Sequence, residues 1–264
     1  MGLNIPSFFL LFFSVQHNLK GMNELIPPLK IQGKKTKIVP NIMDIAERQI
    51  SNHPEIDTWV EPFLGSGVVA FNCPDRIKNV IVNDINPYII SFYNLINTGL
   101  LNANDVMREM TYHSRRLSNE GGDYYNEIKE RFNEHHSAMD FLFLTRTGFN
   151  GLMRFNGSGK WNVPFCKIND RLSESVIESI GDSVDSLSKL FRRKNFKFMN
   201  TQFDEVISSA PENSIFYCDP PYFGLNVQYY KGWGEADEVR LNEMLSDKTF
   251  IYSTWVNDGS KETR

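Results

Sequence analysis

The chain has 264 residues, 41% of them apolar and 23% charged, the balance of an ordinary soluble globular protein with room for one large domain or for a catalytic domain carrying an insert. Its three cysteines, Cys73, Cys166 and Cys218, lack CxxC spacing, which argues against a disulfide framework or a zinc site and points to a reducing, cytoplasmic compartment. The net charge of −4 speaks against a nucleic-acid partner, but residues 141–200 hold ten Lys/Arg against five Asp/Glu, a local +5 that leaves −9 on the rest. A nucleic acid would bind there.

In chain order, residues 6–15 contain the run Phe8-Phe9-Leu10-Leu11-Phe12-Phe13, too short to span a bilayer and without a preceding basic residue. Residues 1–21 read as an upstream, non-native or disordered extension, with Met22 as the natural start. Residues 36–52 show helical apolar spacing through Ile38, Ile42, Ile45 and Ile50. A strand over Thr58–Glu61, a glycine turn and a short element over 68–72 follow, then a β-branched strand over Asn79–Asn83 and a helix over 85–98. Residues 101–135 are polar and helical in pattern, 138–151 an apolar helix with a glycine-containing end, and 152–170 an Asn-, Gly- and Arg-rich loop or hairpin. An amphipathic helix over 173–191, strands over 196–200 and Ser214–Cys218, a helix over 236–245 and a strand over 249–253 complete the pattern. Strands alternating with helices imply a parallel sheet. The stretch from about 100 to 175 breaks the alternation and reads as an inserted recognition region.

Three segments carry chemistry. Glu61-Pro62-Phe63-Leu64-Gly65-Ser66-Gly67 turns tightly at a strand end, where glycines let the backbone approach a ligand, although such glycines also make ordinary turns. Asp84, in Val82-Asn83-Asp84-Ile85-Asn86, follows at a spacing that suits a ribose-binding acid; it also reads as a helix cap. Asp219-Pro220-Pro221-Tyr222 follows an apolar strand. There Asp219 can accept from an amino group, the Pro220 carbonyl is a second acceptor, and Tyr222 offers a face for stacking on a base.

Taken with Thr147-Gly148-Phe149-Asn150-Gly151-Leu152-Met153-Arg154-Phe155-Asn156 and Asn162-Val163-Pro164-Phe165, these motifs resemble, over residues 29–255, the Dam-like (alpha group) adenine-specific DNA methyltransferases. The resemblance implies a Rossmann-like α/β sheet with helices on both faces and an inserted helical and hairpin target-recognition region, in a chain that stops short of the family's last strands. The implied division is a cofactor part over 22–100, the insert over 101–195 and a catalytic part over 196–264. S-adenosylmethionine is the implied cofactor, held by Lys30, Lys34, Glu61, Phe63, Gly65, Gly67, Asp84 and Asp219. Lys34 matches the lysine after glycine in Leu29-Lys30-Ile31-Gln32-Gly33-Lys34, while Lys30 or Ile31 stands where the family carries tryptophan.

The catalytic set is then Asp219, Pro220 and Tyr222, acting on the N6 amine of an adenine flipped out of double-stranded DNA, with no metal. Arg146, Asn150, Arg154, Asn156, Lys160 and Asn162, with Lys167, are the expected DNA contacts; the same residues also suit a solvated hairpin with structural asparagines. The family implies a restriction-modification role with a cognate endonuclease and no membrane. Methylation of RNA adenine or of a protein glutamine fits similar Pro-Pro-Tyr sites, and a truncated remnant that only binds DNA or cofactor fits the short C-terminus. Asp before Pro-Pro and the recognition-like insert favour DNA.

Overall fold

The computed structural model describes residues 24–221 and 233–254. The apolar N-terminal run and the chain's last ten residues, on which two of the expectations above rest, lie outside that range. After a 3-10 turn at Thr36–Ile38, helix α1 (Val39–Asn52) leads to β1 (Thr58–Glu61), then a 3-10 turn at Ala70–Asn72 leads to β2 (Asn79–Asn83) and α2 (Pro87–Asn97). Four helices follow: α3 (Ala103–Glu120), α4 (Gly122–His135), α5 (Ala138–Thr147) and, after the irregular stretch, α6 (Glu174–Arg193). The order closes with β3 (Asn195–Met199), α7 (Phe203–Ser209), β4 (Ser214–Cys218), α8 (Glu235–Leu245) and β5 (Thr249–Tyr252).

All five strands pair in parallel in the order β3-β2-β1-β4-β5. The chain therefore winds outward from β1 to β3, then returns to the other side of β1 for β4 and β5. Ligands in such sheets bind beyond the carboxyl ends of the strands where the order reverses, here between β1 and β4.

Alternation along the central strands divides the core in two. Trp59, Ile215 and Tyr217 point into the larger cluster, formed with α1, α2 and the α3–α6 helices; Val60, Phe216 and Cys218 point the other way, against Phe203, Val206 and Ile207 of α7 and Leu241 and Leu245 of α8. The helix α7 was not anticipated from the sequence. Helix α6 links the insert to the sheet, packing on α3 at one side and on α2 and β3 at the other. Gly181 of α6 permits the α3 contact, because a Cβ there would lie 2.5 Å from Met107 Sδ. Among the described residues no helix is long and apolar enough to cross a membrane, and all three cysteines are free.

Candidate active site

The sheet's carboxyl edge is tied together by one side chain. Asn83, at the end of β2, donates from Nδ2 to the Pro62 carbonyl (2.9 Å) and the Thr201 carbonyl (3.1 Å), and its Oδ1 accepts from the Thr201 amide (2.9 Å). Its carbonyl accepts from Leu64 N at 2.7 Å. The loops leaving β1, β2 and β3 are thereby fixed to each other. Gly67 completes the β1 turn at φ +78°, where a Cβ would meet the Phe71 ring at 2.2 Å, so only glycine fits.

Asp84 follows Asn83 and is 1% exposed. Its Oδ2 accepts from Gly65 N and its Oδ1 from Asn86 N, both at 2.8 Å. The cap of α2 is Asn86, whose Oδ1 accepts from Tyr88 N at 2.9 Å, with Pro87 in the first turn; Asp84 is thus not the helix cap. Its carboxylate instead orders the glycine loop beside it.

A cavity of about 340 Å³ opens at the switch point between β1 and β4. Its lining includes Ile31, Gly33, Lys34 and Lys35 before α1, Glu61, Phe63 and Gly65 at the end of β1 and in the loop after it, Asp84 after β2, and Asp219 and Pro220 after β4. A second space of about 170 Å³ adjoins it, sharing Phe63, Asp84 and Pro221 and adding Ile85, Gln202, Phe203 and Trp233. Phe63 packs edge-on against Trp233 (5.3 Å between centroids) and tilted on Phe203 (5.6 Å), which gives this space an aromatic wall.

Two carboxyl groups in the larger cavity differ sharply. Glu61 is 2% exposed, and burial, reinforced by the charge of Asp219, pushes its carboxyl well above the usual carboxylate range; Trp59 Nε1 donates to its Oε2 at 3.4 Å. Asp219 instead forms an ion pair with Lys35, Nζ to Oδ2 at 2.5 Å. The lysine that reaches the Asp-Pro-Pro segment is therefore Lys35, one residue beyond the Lys34 singled out in the sequence. Lys34 lines the same cavity.

Other expected residues separate into those at the cavity and those elsewhere. Glu61, Phe63, Gly65, Asp84, Asp219 and Pro220 converge with Lys34. Lys30 lines neither cavity; its carbonyl abuts Gly151 instead. Gly67 likewise shapes the loop from behind without lining the space. Tyr222 lies outside the described residues.

In the last turn of α5, Arg146 donates to the Pro28 carbonyl at 3.2 Å. Arg154 donates from Nε and Nη2 to the Asn162 carbonyl at 2.9 and 2.7 Å, across a small hairpin bridged at Phe155 and Trp161. Asn156 Oδ1 accepts from Ser158 N, Ser158 Oγ and Lys160 N, so this oxygen organises the hairpin's turn. Asn150 is exposed at φ +51°, next to exposed Phe149, and Lys160 and Asn162 are exposed as well. Met153 was not anticipated: it lines the larger cavity, and Asn86 Nδ2 approaches its sulfur at 2.9 Å.

A parallel sheet with a glycine loop, a buried acid after β2 and Asp-Pro-Pro at the end of β4 defines a methyltransferase site for an amino group. The sequence pattern of the D12 class N6 adenine-specific DNA methyltransferases matches residues 32–264, and the chain belongs to that family. It is similar to the DNA adenine methylase of Vibrio cholerae, with 31% identity over 84% of this chain and 76% of the relative. It is also similar to two proteins named Type II methyltransferases, M.MjaIII of Methanocaldococcus jannaschii (28%, covering 83% and 78%) and M1.LlaDCHI of Lactococcus lactis (25%, covering 85% and 77%).

Proposed function

We propose that the chain transfers the methyl group of S-adenosylmethionine to the N6 amine of an adenine extruded from double-stranded DNA. The observation that carries this reading is the placement of Asp219 and Pro220 in the cavity that also holds the Asp84 loop. The residues present fit this donor. Asp84 borders both spaces and suits ribose hydroxyls; the aromatic wall of Phe63, Phe203 and Trp233 suits a purine; and the larger space leaves room for an amino-acid chain beside Asp219. Ile85, 42% exposed, would be covered by such a purine.

When bound, the donor supplies a methyl group on a sulfonium, a good leaving group. The protein's task is then to position and polarise the amine. The lone pair of N6 is delocalised into the ring. Asp219 and the Pro220 carbonyl accept its two N–H bonds, which favours a localised lone pair aimed at the methyl. Lys35 holds Asp219 in register for that contact. Tyr222 provides the stacking face. Residues 101–195 act as the recognition insert, with Arg146, Asn150, Arg154, Asn156, Lys160 and Asn162 as DNA contacts. The likeness to Type II methyltransferases supports a modification role beside a cognate endonuclease.

Asp219→Ala tests the assignment. Single-turnover methyl transfer should be abolished even at saturating donor, while donor binding, followed by calorimetry, weakens but stays measurable. Turnover close to wild type would remove Asp219 from the mechanism.

A further inference from the structure

Residues 161–163 alternate in burial. Trp161 and Val163 are each 2% exposed, while Asn162 between them is exposed. One hydroxyl holds both buried neighbours. Tyr125 of α4 accepts from Trp161 Nε1 at 3.0 Å and donates to the Val163 carbonyl at 2.8 Å. Tyr125 is itself buried, and burial pushes its phenol further above the ordinary range, so it keeps the proton that Val163 receives. A second side chain of α4 adds a tie: Asn133 Oδ1 accepts from Trp161 N at 2.7 Å.

The opposite arm of the hairpin fixes Asn162 itself. Its amide N donates to the Arg154 carbonyl at 2.8 Å, and its carbonyl accepts from the Arg154 guanidinium at 2.9 and 2.7 Å. The main chain of Asn162 is thus bonded at both its polar groups, whereas its side-chain amide makes no hydrogen bond among the described residues. An ordered backbone that presents an open amide has already lost the entropy that contact with a ligand would otherwise cost. Neither Tyr125 nor Asn133 lines either of the cavities above, so this frame stands apart from donor and reacting amine.

We propose that Tyr125 is a positioning residue for DNA: its hydroxyl holds the return arm of the hairpin so that Asn162 meets the target duplex. The inference rests on the function proposed above, in which Asn162 contacts DNA. Loss of the hydroxyl leaves Trp161 Nε1 and the Val163 carbonyl without this partner, and the arm must shift to find another. Tyr125 itself touches no reactant and acts only through that arm.

Binding of a fluorescent duplex carrying a site that wild type methylates is compared in wild type, Tyr125→Phe, Asn162→Ala and the double variant. Tyr125→Phe should weaken duplex binding roughly tenfold, with S-adenosylhomocysteine binding unchanged. In the Asn162→Ala background the same change should cost no more than about twofold, because the group it positions is gone. Unchanged duplex binding in either single variant overturns the proposal, and so does a parallel loss of S-adenosylhomocysteine binding. A loss that recurs in full on top of Asn162→Ala overturns it as well, since a purely structural hydroxyl would give that result. Asn133→Ala, which removes the other tie, carries the same comparison where Tyr125→Phe does not fold. Wild type that neither methylates nor binds duplex DNA overturns the function and this inference together.

Discussion

At Asp219 the unusual element is its neighbour. The carboxylate proposed to accept from the amine is paired with the Lys35 ammonium at 2.5 Å, while burial pushes the carboxyl of Glu61 nearby well above the usual carboxylate range. Lys35 acts through Asp219, so Lys35→Met should lower kcat by about a hundredfold through misplacement of the acceptor, with little change in donor affinity. Lys35→Arg, which keeps the charge, should recover part of that rate. Equal loss in both variants, or a loss confined to KM, would contradict a positioning role. The sequence made the segment legible but not the residue: Lys34 and Lys35 are adjacent after Gly33 and both line the cavity, and spacing alone does not tell which pairs with Asp219.

The elements of the sheet were legible because β-branched and aromatic runs end at Gly, Asp or Pro, as in Asn79–Asn83 before Asp84 and Ser214–Cys218 before Asp219. Helix α7 was not, because its seven residues hold a single apolar i, i+3, i+4 set, Phe203, Val206 and Ile207, and its N-cap Gln202 gives no capping bond. Gly181 in α6 reads as a helix-weakening residue in sequence and as a contact in structure. Gly181→Val should cost about 1–3 kcal/mol by forcing α3 and α6 apart, measured as a lowered urea midpoint with unchanged slope.

The insert also carries a pH-sensitive element. His113, 1% exposed, hydrogen-bonds Tyr124 Oη at 2.7 Å and packs on Phe143, and burial lowers it from 6.5 to about 4. Its folded value lies below its unfolded one, so between pH 6.5 and about 4 the unfolded chain binds the extra proton. Stability therefore falls as pH drops through that window, by up to about 3 kcal/mol from this group. His113→Phe should flatten the dependence of unfolding free energy on pH there; an unchanged slope would assign it to other groups.

Across the whole molecule, the winding of the chain puts residues from positions 31 to 221 around one switch point, a proximity that spacing alone does not reveal. The motifs indicated which chemistry converges, but not that Met153, after α5, would line the larger cavity or that Lys30 would stay outside it. Donor binding should therefore stabilise the molecule as a unit. At a concentration about 100 times Kd the gain is roughly 2.7 kcal/mol, a rise of roughly 5–10 °C in Tm, and Asp84→Ala should largely lose it. A full shift in that variant would place the donor elsewhere.

The most direct measurement is transfer of labelled methyl from S-adenosylmethionine to unmethylated duplex DNA, followed by digestion and identification of the labelled nucleoside. The account predicts N6-methyladenine as the product, absent with Asp219→Ala. Label on another base, or N6-methyladenine formed undiminished by Asp219→Ala, would contradict it.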